Sequence, residues 1–392
     1  MTTTVKKSRK RVAVLCETTH VAGRNIIEGI ARYVREHDFW SVYYAPRALG
    51  QDAPGWLRNW DGDGIIARIS NKAVMEDLRK SRIPVVDLVG GTNADTAHPS
   101  VLVSDEGIGR KAASFFLEKG FHNFAFLGMK DEVWSSCRQI GFYGGLNEGD
   151  YCIQSLEIPS FYQTKRMASW DKTEAMLEEW VRTLPTTCAV LCANDDLGLH
   201  LSEACRRADI RIPDDLALLG VDNDMLFCEL CDPPLSSIDA NHSEVGYYAA
   251  ATLDRLMQAR KAEAPSRYIA SREIVLRTST DIIATNDVGL KKAIQFIQDR
   301  YAFNITVDDV AAHAYLSRSV LQRRFKAEFG QTVFDRIIQE KIGKAQYLLA
   351  QTNLPIPDIA ERCGFGQQVY LGAVFRRRLN LTPKQYREKN RT

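Results

Sequence analysis

The stretch VLCANDDLGLHLSEACRRADIRIPDDLALLGVDND, residues 190–224, decides the fold of the larger part of this chain. It begins and ends with apolar runs that predict buried strands, and the segment between them is amphipathic and of helical length. A strand, a helix and a second strand in this order predict parallel strands joined by a helical crossover. Ligands of such folds bind at the carboxyl ends of the strands.

The same alternation extends over residues 11–280, where further apolar runs are RVAVLC, DGIIARI, PVVDLV and HNFAFLG. Strand-like runs stop near residue 281, and nearly everything afterwards has helical period. We therefore predict a basic tail at 1–10, a two-lobed α/β domain at 11–280, a linker at 281–289 and an all-helical domain at 290–392. The segments that follow the apolar runs are the candidate ligand positions: 18–24, 105, 134–138, 194–196 and 222–224.

Charge is distributed unevenly along the 392 residues, although the net charge is only +2. From Asp287 onwards there are 18 Lys and Arg against 10 Asp and Glu, whereas the preceding part holds 33 against 39. A basic module joined to a slightly acidic body predicts a polyanionic partner for that module alone.

Two segments of this basic module share one layout, VDDVAAHAYLSRSVLQRRFK and IPDIAERCGFGQQVYLGAVFRRR. Each predicts a short helix, a turn and a second helix, which gives helix-turn-helix motifs at about 306–329 and 355–379. Leu321 and Phe325, like Leu371 and Phe375, are four residues apart and should be buried. A long amphipathic helix is predicted between the motifs, at 334–352.

If Leu321 and Phe325 face inward, the side chains that face outward on that helix suit the major groove of DNA: Arg318, Ser319, Gln322, Arg323 and Lys326. A charged helix face that is simply solvated is the alternative. It accounts for the charge but not for two matched helix pairs.

Over about the last 105 residues the chain resembles the AraC/XylS family of transcription factors, through AAHAYLSRSVLQRRFKAEFG, KIGKAQYLLAQTNLPIPDIAERCGF and FRRRLNLTPKQYR. The resemblance implies that both second helices contact promoter half-sites and favours activation. It assigns base contacts to Ser319, Gln322 and Arg323 and then to Gln367 and Gln368, with phosphate contacts from Arg376 and Arg377. The family often has a polar and a basic residue where this chain has Gly372 and Ala373.

Residues 11–280 resemble the sensor domains of LacI-type repressors, which have the type I periplasmic sugar-binding fold. The matching stretches are the opening one, PPLSSIDANHSEVGYYAAATLDRL and REIVLRTST. Joined to an AraC-type module, such a sensor resembles a family of xylose-responsive regulators. The resemblance implies D-xylose as effector, with a different sugar left open, and a homodimer that has RNA polymerase as a further partner.

The resemblance also implies the sugar contacts: Arg24, Asp105, Trp134, Arg138, Asn194, Asp195, Asp222 and Asn223. Carboxylates, an amide and a guanidinium can satisfy the paired donors and acceptors of sugar hydroxyls, and the Trp134 ring can cover a C–H face. Asp or Asn directly after a strand is also a common helix cap, which remains the alternative for the polar positions. The dimer interface is open, with 21–35 and 71–80 as candidates.

Other classes of protein are disfavoured. The basic N-terminus is followed by only a short apolar run, and no run approaches the ~20 residues of a membrane span, so we expect a cytoplasmic protein and not a periplasmic transport receptor. The nine cysteines are irregularly spaced, and Cys228-x-x-Cys231 has no partner motif, so we expect no metal and no cofactor. GxSxG, GxxxxGK[ST] and HExxH are absent, so we expect no enzyme; a sugar-processing enzyme with paired carboxylates is the alternative.

Overall fold

The structure is a computed structural model, and it describes residues 9–37, 40–44, 54–68, 78, 83–89, 98–146, 151–160, 170–258, 265–282, 285, 287–329, 331–352 and 354–390. The chain divides into two compact units, Met1–Ile282 and Ile283–Thr392, which we call the N-terminal and the C-terminal unit. The predicted fold class is confirmed: a two-lobed α/β domain is followed by a helical domain with two helix-turn-helix motifs.

The first lobe of the N-terminal unit is built on a parallel sheet, ordered β2-β1-β3-β4 among the described residues. Its strands are β1 Arg11–Leu15, β2 Ser41–Tyr44, β3 Gly64–Ala67 and β4 Val85–Asp87. A short parallel pair consists of β5 Val101–Val103 and β11 Arg267–Ile269. Helices α1 Val21–Glu36 and α7 His242–Gln258 share one apolar core with these strands.

The second lobe holds a sheet ordered β12-β10-β9-β8-β6-β7 within the described ranges, in which only the pairing of β12 with β10 is antiparallel. The strands are β6 Asn123–Met129, β7 Cys152–Ile158, β8 Cys188–Cys192, β9 Leu216–Val221, β10 Ser236–Ile238 and β12 Ile274–Val275. The helices are α2 Asp105–Glu118, α3 Val133–Leu146, α4 Trp170–Thr183, α5 Asp195–Arg207 and α6 Met225–Leu230. Short 3₁₀ helices lie at Gly55–Asn59, in the first lobe, and at Thr278–Thr280, beside β10 of the second lobe. Every residue of β8 and β9 is buried, as expected of central parallel strands.

Close helix packing in each lobe depends on glycine. In the first lobe, a Cβ on Gly29 of α1 would lie 1.9 Å from the backbone oxygen of Ser243 on α7, and one on Gly246 of α7 would lie 1.9 Å from that of Ile26. In the second lobe, α2 and α3 meet through Gly109 and Gly141, whose added Cβ atoms would each lie 2.1 Å from a backbone oxygen of the facing helix. These contacts fix the helices whose first turns border the cleft between the lobes.

The described residues of the C-terminal unit form helices joined by turns and short loops, with no strand among them. Its helices are α8 Val288–Arg300, α9 Val307–His313, α10 Arg318–Phe329, α11 Val333–Gln351, α12 Ile356–Arg362, α13 Gln368–Leu379 and α14 Pro383–Asn390. The helix-turn-helix pairs are α9–α10 and α12–α13. Leu321, Phe325, Leu371 and Phe375 are fully buried, as their spacing predicts.

Helix α11 joins two separate cores. Val333 and Ile337, near its start, pack with the first helix-turn-helix motif, whereas Ile338 and Ile342 pack with the second. The buried Lys341 of the same helix donates a 2.7 Å hydrogen bond to the carbonyl of Gly364, at the turn of the second motif. The linking helix therefore holds both motifs in the C-terminal unit.

Substitution of Gly141 tests the contact between α2 and α3. We expect Gly141→Ala to lower the free energy of unfolding by about 1–3 kcal/mol, because its methyl group would force α3 away from the Glu106 carbonyl. Gly144→Ala is the matched control on the same helix, where nothing lies within 4 Å of an added Cβ, and it should be neutral or stabilising by up to about 1 kcal/mol. Urea titration followed by circular dichroism measures both, and equal stability of the two variants would contradict the proposed contact.

Candidate functional site

A cavity of about 600 Å³ lies between the two lobes of the N-terminal unit. The polar side chains that line it from the second lobe include Asp105, Arg138, Asn194 and Asp222. The first lobe contributes a more mixed wall, with His20, Arg68, Leu88 and Val89. The cavity has the volume and the mixed polar and apolar lining that are typical of small-molecule sites.

The guanidinium of Arg138 is the centre of the polar wall. Its side chain is only 4% exposed, and it donates hydrogen bonds to three acceptors on different segments. Nε donates to Asp105 Oδ1 at 2.8 Å, Nη1 to the Ala193 carbonyl at 2.5 Å, and Nη2 to Asp222 Oδ1 at 3.3 Å. A buried guanidinium is stable only with such partners, so these contacts fix the position of both carboxylates.

The three acceptors occupy the positions that a parallel sheet brings together. Asp222 directly follows β9, and Ala193 follows β8, while Asp105 is the first residue of α2. Asn194, next to Ala193, caps α5 by accepting a 3.0 Å hydrogen bond from the Leu197 amide. The carboxyl ends of neighbouring strands and the start of a helix thus meet at one edge of the sheet.

Opposing effects act on the titration of the two carboxyls. Burial alone would raise the pKa of Asp222, but the charge of Arg138 and a hydrogen bond from His242 outweigh it and hold this pKa below its ordinary value. At Asp105, burial prevails over the attraction of Arg138 and raises the pKa. Burial also lowers the pKa of His20 on the opposite wall. Asp222 is therefore the carboxyl that this environment holds in its charged form.

Residues that sequence reasoning did not single out complete the walls. His242, the first residue of α7, places Nε2 3.1 Å from Asp222 Oδ1, so a first-lobe helix contacts the end of a second-lobe strand. Arg68, which forms an ion pair with the buried Glu17, follows β3 and lies within the quoted run DGIIARI. Its place at a strand end was a usable signal. His242 had none, because the preceding strand β10 has only three residues.

Trp134 also lines the cavity, and the Arg138 guanidinium lies 5.1 Å from the centre of its ring. Its indole nitrogen donates a 3.0 Å hydrogen bond to Glu132, which fixes the ring. The predicted ring and four of the predicted polar residues are thus brought together on one wall.

The structure places the three other predicted sugar contacts outside the cavity lining. Arg24 donates to the carbonyls of Thr18 and Thr19 in its own loop, and its Nη2 lies 3.5 Å from Asp224 Oδ2. Asp195 is 1% exposed and accepts hydrogen bonds behind the wall, where burial first and then the charge of Asp222 raise its pKa well above the ordinary range. The side chain of Asn223 accepts from Arg277 and not from the cavity side.

The predicted DNA contacts of the first motif are all exposed on one side of α10: Arg318, Ser319, Gln322, Arg323 and Lys326. Arg318 forms a 2.8 Å ion pair with Asp308 of α9, and the Ser317 hydroxyl accepts a 3.4 Å bond from the Val320 amide at the helix start. The other four side chains present hydroxyl, amide and cationic groups to solvent.

The second motif has a different surface. Gln367, Gln368, Arg376 and Arg377 are exposed as predicted. Between them the exposed face of α13 carries Val369, which is 80% exposed, and Gly372, around whose Cβ position nothing lies within 4 Å. Gly372 and Ala373 stand where the AraC/XylS family often has a polar and a basic residue, and the space beside Gly372 is open.

Within the described part of the chain, no helix combines the length and apolarity of a bilayer span. Nor do the described side chains include three or more His, Cys, Asp or Glu grouped to hold a metal ion. Cys228 and Cys231 form the CxxC at which the sequence predicts no metal. Both are buried, and burial raises the pKa of the Cys231 thiol to about 12.

Comparison with known domain families assigns nearly the whole chain. Residues 11–104 match the XylR N-terminal domain, 113–280 match a periplasmic binding protein-like domain, and 310–389 match a helix-turn-helix domain.

Whole proteins are also similar to this chain along nearly its full length. The chain is 28% identical to the xylose operon regulatory protein of Escherichia coli K12, with 97% of this chain and 98% of that protein covered. It is 29% identical to the protein of the same name from Haemophilus influenzae, over 96% and 98% of the two chains. A solved structure described as the xylose-binding transcription activator xylR matches with a TM-score of 0.68 and 26% identity, covering 98% of this chain and all of that one.

Acid titration tests the charge assigned to Asp222. We expect Asp222→Asn to lower the free energy of unfolding at pH 7 by about 1.5–3 kcal/mol, because charge-assisted hydrogen bonds are lost. The folded pKa of Asp222 lies below its unfolded value, so its contribution is present above pH ~4 and is lost as the pH falls towards the folded pKa. The difference between wild type and variant should therefore shrink below pH ~4 in denaturant titrations. A difference that stays constant from pH 7 to 3 would contradict the assignment.

Proposed function

We propose that this chain, which has the domain architecture of the xylose operon regulators from its first strand to its last helix, is a D-xylose-responsive activator of pentose catabolic genes. The observation that carries the proposal is the Arg138 cluster with Asp105 and Asp222 in a cavity of about 600 Å³, within a chain similar to those regulators over 97% of its length.

The chemistry of the cavity suits a small polyol. Vicinal hydroxyls each need a donor and an acceptor, and Asp222, Asp105 and Asn194 offer acceptors beside the donors of Arg138. Trp134 and the aliphatic residues Leu88 and Val89 can cover the C–H faces of a sugar ring. We assign the sugar contacts to the five predicted residues that line the cavity, namely Asp105, Trp134, Arg138, Asn194 and Asp222, and add His242.

The C-terminal unit supplies the DNA contacts in this proposal. Helix α10 enters a major groove with Ser319, Gln322 and Arg323 towards base edges, and Arg318 and Lys326 towards phosphates. Helix α13 contacts the adjacent half-site through Gln367 and Gln368, with Arg376 and Arg377 on the backbone. Both helices keep these side chains exposed while the residues four apart on the inner face are buried.

Sugar binding controls DNA binding in the proposed mechanism. D-xylose favours a closed arrangement of the lobes only by binding it more tightly than the open one. The protein acts in the cytoplasm as a homodimer, so that one DNA-bound module raises the effective concentration of the other at its half-site. RNA polymerase is the further partner that activation requires, and the chain has no catalytic role towards the sugar.

Calorimetric titration tests the effector. We expect D-xylose to bind the full chain and Asp222→Ala to weaken binding at least about 100-fold, since a charged hydrogen-bonding group is lost from a buried site. The same variant should retain its DNA affinity in the absence of sugar. Asp214→Ala, which removes a more exposed carboxylate of the same lobe, is the control and should bind D-xylose normally.

The outcome of this titration distinguishes a wrong effector from a wrong sensor assignment. Binding of another pentose or of a hexose instead of D-xylose would contradict only the identity of the effector. A chain that binds none of these sugars would contradict the sensor assignment itself.

Salt dependence tests the DNA contacts. With a duplex selected from a random pool by the full chain, the logarithm of the affinity should fall steeply with the logarithm of the salt concentration. Replacing Lys326 by Ala should reduce this slope by about 0.9, the value expected for one phosphate contact. Arg206→Ala, which removes an exposed cation from α5 of the N-terminal unit, should leave the slope unchanged. A flat dependence for the wild-type chain would refute the phosphate contacts.

A further inference from the structure

The cavity residue Asp222 lies in an unusual backbone conformation. Its φ angle is 98° and that of Asn223 is 50°, so two consecutive residues that are not glycine occupy the left-handed region. Such conformations persist only where the surroundings hold them. We call residues 222–224 the Asp222 turn.

Each backbone amide of the Asp222 turn donates to a separate acceptor on a neighbouring element. The Asp222 amide donates to the Ile238 carbonyl at 2.9 Å. The Asn223 amide donates to the Ser237 hydroxyl at 3.0 Å, and the Asp224 amide to Asp195 Oδ2 at 2.7 Å. The Ser237 hydroxyl in turn donates to Asp195 Oδ1 at 2.6 Å, which joins the two acceptors in one buried network.

The side chain of Asn223, the middle residue of the turn, is held by Arg277. Arg277 Nη2 donates to Asn223 Oδ1 at 2.9 Å and also lies 3.1 Å from the sulfur of Met225. Nη1 donates to the Leu235 carbonyl at 2.9 Å, and Nε lies 3.3 Å from Glu229. The Arg277 side chain is 9% exposed and does not line the cavity. The Arg277 side chain thus connects the Asp222 turn with helix α6.

We propose that Arg277 is a positioning residue of the effector site: by holding Asn223, it keeps the Asp222 carboxylate directed at Arg138 and His242. Asp195 serves the same turn from the backbone side. The function of both residues is thus to orient a sugar contact without touching the sugar. This inference rests on the proposed function, because its affinity measurement uses a sugar.

The physical consequence is a loss of affinity that exceeds any general loss of stability. If the turn relaxes towards ordinary φ angles, the carboxylate is correctly placed in only a fraction of molecules. The apparent dissociation constant then rises by the inverse of that fraction. A group that only contributes to folding would instead lower the melting temperature and leave the affinity of the folded molecules unchanged.

D-xylose titration of the full chain, paired with thermal unfolding, makes this distinction. We expect Arg277→Met to weaken D-xylose binding about tenfold or more, as for loss of a charged hydrogen bond. Phe124→Leu is the control for stability, since Phe124 is buried near the start of β6, at the opposite end of the sheet from the cavity. It should lower the melting temperature and keep the affinity within about twofold of wild type.

Substitution of Asn223 provides a second, milder test in case Arg277→Met does not fold. Asn223→Leu removes the acceptor of Arg277 and should weaken binding, whereas Asn223→Asp keeps an acceptor and should bind nearly as the wild type does. Unchanged affinity in both Arg277→Met and Asn223→Leu would overturn the proposal. So would an equal loss of affinity in Phe124→Leu.

Hydrogen exchange without any sugar separates this proposal from the proposed function. In Arg277→Met, amides of a peptide covering residues 221–227 should exchange faster than in the wild type, while Phe124→Leu leaves that peptide protected. If the wild-type chain binds no sugar, the proposed function fails and exchange alone decides the role of Arg277. An unchanged exchange rate at 221–227 would then overturn it.

Discussion

The N-terminal unit depends on one buried cation held between two carboxylates. Arg138 is almost fully removed from water, so its charge is tolerable only because Asp105, Asp222 and the Ala193 carbonyl accept its hydrogen bonds. These acceptors come from a helix start and two strand ends, so the bonds fix the polar wall of the cavity before any ligand arrives. A sugar that binds there meets groups whose positions are already set, which reduces the entropy that binding must overcome.

The surrounding fold supplies the precision that this wall requires. Close contact of α2 with α3 through Gly109 and Gly141 fixes Asp105 relative to Arg138. At the end of β9, the hydrogen bonds of Asp195 and Arg277 hold the Asp222 turn, whose positive φ angles are rare for residues other than glycine. His242, the first residue of the first-lobe helix α7, contacts Asp222 of this wall. A displacement of the Asp222 carboxylate would therefore alter contacts in both lobes. In the C-terminal unit, two apolar pairs are buried, Leu321 with Phe325 and Leu371 with Phe375, and the opposite face of each helix is the one proposed to contact DNA.

Sequence alone was sufficient for the fold wherever an apolar run was long enough. All six quoted runs form strands. Six further strands of the described residues were not among them: β2, β5, β10, β11 and β12 have at most four residues each, and β7 is partly exposed and mixed in polarity. For the cavity, five candidate residues that follow strand-like runs are found in its lining, namely Asp105, Trp134, Arg138, Asn194 and Asp222. The same rule could not separate Asp222, which lines the cavity, from its neighbour Asn223, whose side chain accepts a hydrogen bond from Arg277 instead. His242 gave no sequence signal, because the strand before it, β10, has only three residues.

A crystal structure of the full chain with bound D-xylose would show whether the Arg138 cluster holds the sugar. We expect sugar hydroxyls within hydrogen-bond distance of the Asp222 carboxylate and the Arg138 guanidinium, with Trp134 against a C–H face. Density for the sugar at another place, with the bonds of Arg138 to Asp105 and Asp222 unchanged, would contradict this expectation.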